Sequence, residues 1–142
     1  MQQEDGIIGG WHGDENFART AIMYSLWKTQ GATIQPWRSD VILGAETNGN
    51  ETYFVLTAEN DWEGKLIFDA PRHRTILNLP VDYPRINQFP EWFTVEKDEE
   101  YSLVSSQKEL TGKYSGQQHL EGIPVKLKAG EVWVARFPNR AF

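Results

Sequence analysis

The sequence predicts a mainly β protein: a β-sandwich or jelly roll of seven to nine short antiparallel strands with one N-terminal amphipathic helix. Three observations predict this class. Apolar residues alternate with polar ones from about residue 32 onward, turn signals such as Asn48-Gly49 separate the short runs, and a single stretch before residue 32 has the helical period. The chain of 142 residues is long enough for one domain of ordinary size.

Three segments follow from these patterns. Residues 1–13 are rich in glycine and without period, so we expect a flexible N-terminal tail. Residues 14–31 form the amphipathic helix, and residues 32–142 form the β-sandwich domain.

The helix has recognisable ends. Asp14 is a plausible N-cap and Gly31 offers the left-handed conformation that often ends a helix. Between them, apolar residues recur at helical spacing: Phe17, Ala18, Ala21, Ile22 and Leu26. Two placements remain open for this helix. It packs over an edge or face of the sandwich, or it is the last helix of a preceding domain.

The strands are placed by alternation and by turn residues. They are expected at residues 39–46, 52–58, 65–69, 74–79, 92–96, 100–105, 122–127 and 131–137. Asn48-Gly49 joins the first two as a hairpin, and Lys128-Ala129-Gly130 joins the last two as another. Three prolines make residues 80–91 an irregular loop, and residues 106–121 are polar and weakly patterned.

Composition excludes several classes of function. The net charge of −6 without a basic run makes nucleic acid a poor partner, and no apolar stretch approaches the ~18 residues of a membrane span. The chain has no cysteine, and its histidines match no metal-ligand spacing, so we expect no metal and no cofactor. Residues 1–5 show no signal peptide.

The functional lead is an excess of aromatic residues, 13% of the chain beside a mean hydropathy of −0.55. Four of them fall in residues 82–93 together with amides and charged groups. This mixture suits sugars, because sugar C–H faces stack on aromatic rings while hydroxyls bind amides and carboxylates. The glycan contacts predicted there are Tyr83, Arg85, Asn87 and Trp92. The alternative is a well-packed loop whose aromatic rings fill the end of the sandwich.

Other candidates lie outside that loop. Arg72 and His73 stand in a charged turn that suits a carboxylate such as a uronic acid, although such a run also suits a solvated connection. Trp37 beside Pro36 and Trp62 at a turn tip are expected to be partly exposed and to contact glycan. Trp27 and Trp133 are expected to pack in the interior.

A third cluster contains His12, Asp14 and Glu15, which place an imidazole and two carboxylates within four residues. Such groups supply acid–base chemistry. Alternatively, Asp14 caps the helix, Glu15 complements its dipole and His12 lies on the surface.

Residues 9–24, Gly-Gly-Trp-His-Gly-Asp-Glu-Asn-Phe-Ala-Arg-Thr-Ala-Ile-Met-Tyr, followed by a β-sandwich pattern, resemble the end of large bacterial glycoside hydrolases and polysaccharide lyases. In such enzymes a helical catalytic domain is followed by a C-terminal all-β accessory domain. Residues 11–31 resemble a toroid helix, residues 62–69 and 84–95 the accessory sandwich, and residues 122–131 its last hairpin. The resemblance implies a parent protein that is secreted or periplasmic.

Three functions remain open at this point. The first is a non-catalytic carbohydrate-binding or accessory module, whose partners are a polysaccharide or oligosaccharide and a catalytic domain. The second is a polysaccharide-active hydrolase or lyase, or a fragment of one, that uses His12, Asp14 or Glu15 with Arg72 and His73. The third is a structural domain that braces a catalytic neighbour.

Overall fold

The structure, a computed structural model, describes residues 15–83 and 89–138. Its helices are α1 (Glu15–Thr29), α2 (Arg72–Thr75) and α3 (Gly116–Glu121). Its strands are β1 (Thr33–Gln35), β2 (Val41–Asn48), β3 (Glu51–Ala58), β4 (Trp62–Ile67), β5 (Glu100–Ser105), β6 (Gly112–Ser115), β7 (Ile123–Leu127) and β8 (Val132–Pro138). The mainly β class with one long N-terminal helix is confirmed. No helix among the described residues is long and apolar enough to cross a membrane.

The strands form two antiparallel sheets. The small sheet has the order β1-β4-β7 and the large sheet the order β2-β3-β8-β5-β6. The β2–β3 hairpin, predicted from Asn48-Gly49, is confirmed: Asn48 pairs with Glu51, and Gly49 adopts a positive φ of 59° in the connection.

The core lies between the two sheets. Along β3, alternate residues are buried, and the same alternation runs through β7 and β8. At one end of the core Phe54, Phe68, Phe93 and Phe137 contact one another, with ring centroids 5.1–5.9 Å apart. Trp133, predicted to be interior, is fully buried.

Helix α1 ends as its sequence predicts. The N–H of Gly31 donates to the carbonyl of Leu26 at 2.9 Å, and Gly31 has a φ of 81°. The expectation that Trp27 packs in the interior is wrong, because its side chain is 47% exposed. None of residues 18–29 is buried, although Ala21 and Leu26 are half-buried and the helix contacts β2, so the sandwich covers only part of the described helix.

Two predicted strands are absent from the described residues. Residues 74–79 do not extend. Instead, the Thr75 N–H and hydroxyl both donate to the carbonyl of Pro71, and this local bonding closes the short helix α2. Residues 92–96 contribute only an isolated bridge between Asp69 and Thr94.

The predicted hairpin between residues 122–127 and 131–137 is also wrong. Strand β7 pairs with β4 in the small sheet, whereas β8 pairs with β3 and β5 in the large sheet. The turn between them bonds to the β3–β4 connection, because the Gly130 N–H donates to the carbonyl of Ala58 and the Ala129 N–H to the Asp61 carboxylate. Both connections therefore cross between the sheets at the same end of the sandwich.

Candidate functional site

The structure divides the predicted glycan contacts into separate groups. Arg72, His73, Tyr83 and Trp92 belong to α2 and the loop that follows it, whereas Trp37 and Trp62 lie at the other end of the small sheet. Arg85 and Asn87 lie outside the described residues, as do His12 and Asp14, and the side chain of Glu15 is likewise outside the description.

The first group is organised around Glu91. Its carboxylate accepts the His73 backbone N–H at 2.7 Å and lies 2.8 Å from His73 Nδ1. The Glu91 backbone N–H donates to the Asp82 carboxylate at 2.9 Å. Since the Glu91 side chain is almost fully buried, these bonds are shielded from water and tie the loop to α2.

Arg72 is held in the same cluster. Its Nε lies 3.2 Å from the Asp69 carboxylate, and its Nη2 donates to the carbonyls of Phe89 and Pro90, each at 3.4 Å. Burial raises the pKa of Asp69, and the nearby Arg72 charge only partly offsets this effect. We call Asp69, Arg72, His73, Asp82 and Glu91 the α2 cluster.

The predicted carboxylate site at Arg72 and His73 therefore has no free cation. Arg72 pairs with Asp69, His73 bonds to Glu91, and the neighbouring Arg74 pairs with Glu96. A uronic acid would have to displace one of these internal carboxylates, which costs the interactions that hold the loop.

Two aromatic rings stand beside the α2 cluster. Tyr83 is 45% exposed and follows Asp82, and Trp92 is 40% exposed and follows Glu91. Because the Asp82 carboxylate accepts the Glu91 backbone N–H, the two backbone segments that carry these rings are tied to each other. We call Tyr83 and Trp92 the loop surface. Flat rings beside fixed polar groups can stack on a ligand and orient it.

Trp37 and Trp62 differ in their exposure to solvent. Trp37 is 74% exposed, as predicted. The prediction of exposure for Trp62 is wrong, since this side chain is 3% exposed and its Nε1 donates to the carbonyl of Pro36 at 3.1 Å. Residue 62 begins β4 instead of lying at a turn tip, and Gly64 leaves room for the indole, because a Cβ there would lie 2.3 Å from the ring.

Sequence reasoning missed two shallow cavities on the outward face of the small sheet. They have volumes of about 280 and 400 Å³ and share Glu63 and Lys126 in their linings. The signal in the sequence was the pair of charged residues Glu63 and Lys65, whose spacing of two places both on the exposed face of β4. The expected strand began only at residue 65, so Glu63 was not included in it.

Sequence reasoning also passed over His119. The side chain is fully buried, and its ring meets those of Phe68, Tyr101, Tyr114 and Phe137 at centroid distances of 5.1–5.9 Å. Burial lowers the pKa of His119. This histidine is a core residue with no access to a ligand.

Within residues 15–83 and 89–138, no group of three or more histidine, aspartate or glutamate side chains is placed to hold a metal ion. The α2 cluster with its loop surface is therefore the candidate site defined by predicted residues, and the small sheet adds a second polar surface. Comparison with protein-family models, curated proteins and solved structures finds no match for this chain.

Proposed function

We propose that this chain is a carbohydrate-binding accessory module of a polysaccharide-degrading protein, and that it holds glycan without catalysing its cleavage. The observation that carries the proposal is the loop surface, where Tyr83 and Trp92 are exposed beside the hydrogen-bonded α2 cluster. An exposed ring costs little ordering entropy on binding when its backbone is already fixed. The role in polysaccharide degradation rests on the resemblance of the sequence.

The charge pattern favours a neutral glycan. Within the described part of the chain, helix α2 carries two arginines, Arg72 and Arg74, and both are paired with carboxylates of the chain itself. A neutral sugar can stack on Trp92 and form hydrogen bonds with polar groups at the edge of the α2 cluster. Such binding breaks neither the Asp69–Arg72 pair nor the Arg74–Glu96 pair. An anionic sugar meets no unpaired cation among these groups.

The test is retention of the chain on insoluble neutral polysaccharides, cellulose, xylan and mannan, together with tryptophan fluorescence titration using their soluble oligosaccharides. We expect retention of the wild type and at least a fivefold loss of affinity in Trp92→Ala and in Tyr83→Ala. Val132→Ala removes an exposed apolar side chain from a different face and serves as the control. Equal retention of the wild type and both aromatic variants would contradict the loop-surface proposal.

A second candidate function, bracing of a neighbouring domain, is favoured by helix α1. Its exposed apolar side chains are Ile22, Met23, Tyr24 and Trp27. At about 100° per residue, Ile22 and Tyr24 point to nearly opposite sides of the helix. A helix that is apolar on several sides is normally enclosed by other elements, and a helix of this length is marginal in water without them.

The outward face of the large sheet also carries exposed apolar side chains. Ile42, Val55, Val104 and Val132 are exposed on it, and this face lies on the sheet that α1 contacts through β2. Apolar patches of this kind mark surfaces that another protein surface covers.

Sedimentation velocity tests the bracing function. We expect the isolated chain to self-associate, and we expect Trp27→Glu, which places a charge on α1, to shift it toward the monomer. Ile76→Glu adds the same charge at an exposed apolar residue away from α1 and serves as the matched control. A wild-type chain that stays monomeric at high concentration would contradict this function.

A further inference from the structure

We propose that the outward face of the small sheet is a second glycan-contact surface, with Trp37 as its stacking ring. We call this surface the sheet trough; it consists of the two shallow cavities and the Trp37 side chain. This inference rests on the proposed function, because it assigns a second surface to the same class of ligand.

The two cavities are neighbours that share part of their lining. The smaller is lined at one end by Asp61 and Lys128, the larger at the other by Gln35 and Lys65, and both include Glu63 and Lys126. Glu63 and Lys126 face each other across the β4–β7 pair, and their charged groups lie 2.8 Å apart. Together the volumes of about 280 and 400 Å³ fall in the range of small-molecule sites.

The lining alternates hydrogen-bond donors and acceptors. Lys65, Lys126 and Lys128 donate, Asp61 and Glu63 accept, and Gln35 does both. The ion pairs within this set, Glu63–Lys126 and Asp61–Lys128, are highly exposed and contribute little to stability. Because sugar hydroxyls both donate and accept, a neutral oligosaccharide can bond to both members of such a pair without separating them.

Trp37 is held beside this lining. Gln35, which lines the larger cavity, pairs with Lys65, and the Arg38 side chain donates to the carbonyl of Asp61 at 2.9 Å, on the rim of the smaller cavity. The carbonyl of Pro36 accepts the Trp62 indole N–H, and Arg38 also pairs with Asp40 at 2.5 Å. The backbone is therefore anchored on both sides of residue 37, while its indole is 74% exposed.

The charges of the trough nearly balance, since Lys65, Lys126 and Lys128 stand beside Asp61 and Glu63. Hydrogen bonds from the Ala129 N–H and the Lys128 side chain hold the pKa of Asp61 below its usual range, so this carboxylate stays charged at neutral pH. Glu63 places a second carboxylate in the middle of the depression. An anionic sugar would have to compete with these two carboxylates for Lys126 and Lys128, whereas a neutral sugar can bond to both members of each pair.

Trp37 and the loop surface lie toward opposite ends of the small sheet, because Pro36 contacts Trp62 at the start of β4 and the α2 cluster follows the end of β4. Trp62 and Ile67 bound β4, whose length is about 17 Å at about 3.3 Å per residue. Two surfaces at such a separation can hold one extended chain at two points, and the second contact is then intramolecular. We expect long chains to bind more tightly than short ones.

The experiment titrates the chain with cellohexaose, xylohexaose and mannohexaose, and with oligogalacturonate as the anionic probe, by isothermal calorimetry. The variants are Trp37→Ala, the double variant Glu63→Gln with Lys126→Met, and Trp92→Ala. Trp27→Ala removes another exposed indole outside both surfaces and is the matched control. Circular dichroism and thermal unfolding confirm that each variant is folded.

We expect a neutral hexasaccharide to bind, with affinity reduced about tenfold in Trp37→Ala and by a similar factor in the double variant. Wild-type binding that Trp92→Ala weakens and Trp37→Ala leaves unchanged would overturn the trough and leave the proposed function standing. Salt-sensitive binding of oligogalacturonate alone would overturn the neutral class of ligand. Binding of none of the probes would overturn the trough and the proposed function together.

Discussion

His119 Nδ1 lies 2.9 Å from the carbonyl oxygen of Ser115, four residues earlier in the chain. Because a carbonyl only accepts, Nδ1 carries the proton of the neutral ring and Nε2 carries the lone pair. Nε2 is buried and makes no hydrogen bond. Ser115 also caps α3, since its hydroxyl accepts the Gln118 N–H and the Gln118 side chain accepts the Ser115 N–H. Ser115 therefore caps α3 and also determines which ring nitrogen of His119 carries the proton.

The first prediction is a loss of stability in mild acid. Burial lowers the pKa of His119 below the ordinary value of 6.5, so the unfolded chain takes up this proton before the folded chain does. The free energy of unfolding should fall as the pH decreases below about 6.5, by at most about 1.4 kcal/mol per pH unit for one proton. Urea unfolding at pH 7, 6 and 5 measures the slope.

His119→Asn separates this effect from other titrations, because its amide can donate to the Ser115 carbonyl and does not take up a proton. We expect the variant to be less stable at pH 7 and to have a flatter dependence on pH. Asp69 acts in the opposite sense, since its raised pKa favours the folded state as the pH falls, and it does so equally in both proteins. An unchanged slope would show that His119 is not the responsible group.

The second prediction concerns a buried hydroxyl. Ser105 Oγ accepts the Trp133 indole N–H at 2.8 Å and the Gln107 backbone N–H at 3.1 Å. Ser105→Ala leaves both donors without this acceptor, so we expect a loss of about 2 kcal/mol in the free energy of unfolding. Ser102→Ala, an exposed position on the same strand, should change it by less than about 0.5 kcal/mol. Equal effects in urea unfolding would contradict the assignment.

The third prediction compares two glycines. A Cβ at Gly116 would lie 1.7 Å from the carbonyl oxygen of Glu96, and backbone cannot move aside as a side chain can. At Gly44, nothing lies within 4 Å of the same atom. We expect Gly116→Ala to destabilise the protein by about 3 kcal/mol or more and Gly44→Ala to be nearly neutral. Similar unfolding temperatures for the two variants would show that α3 does not pack this closely on the Glu96 backbone.

The fourth prediction concerns the attachment of the loop surface. Glu91→Gln replaces a buried carboxylate by an amide, which weakens its bonds to His73 and costs about 1–2 kcal/mol. Hydrogen exchange should speed up at the amides of His73, Glu91 and Trp92, whereas the amides of β3 should keep their relative protection. Uniform acceleration throughout the chain would indicate that the contact stabilises the whole fold rather than this loop.

The sequence was informative where structure depends on neighbouring residues. Gly31 ends helix α1, and the turn near Asn48-Gly49 forms the β2–β3 hairpin, because each requires a backbone conformation that only a few residue types adopt easily. The exposure of Trp37 beside Pro36 and the burial of Trp133 were also predicted from local context. Tyr83 lies in the irregular loop that the prolines of residues 80–91 predict, whereas Trp92 was expected in a strand that does not form.

By itself, then, the sequence determined the mainly β class, the long helix and the strands whose alternation is regular, since these features reflect local period and turn chemistry. Only the tertiary structure decided which strands share a sheet. Strands β7 and β8 are adjacent in the chain but lie in different sheets, since β7 pairs with β4 and β8 with β3, and these partners are distant in the sequence. The same long-range packing buries Trp62 against Pro36 and brings Glu91 to His73, contacts that no local pattern specifies.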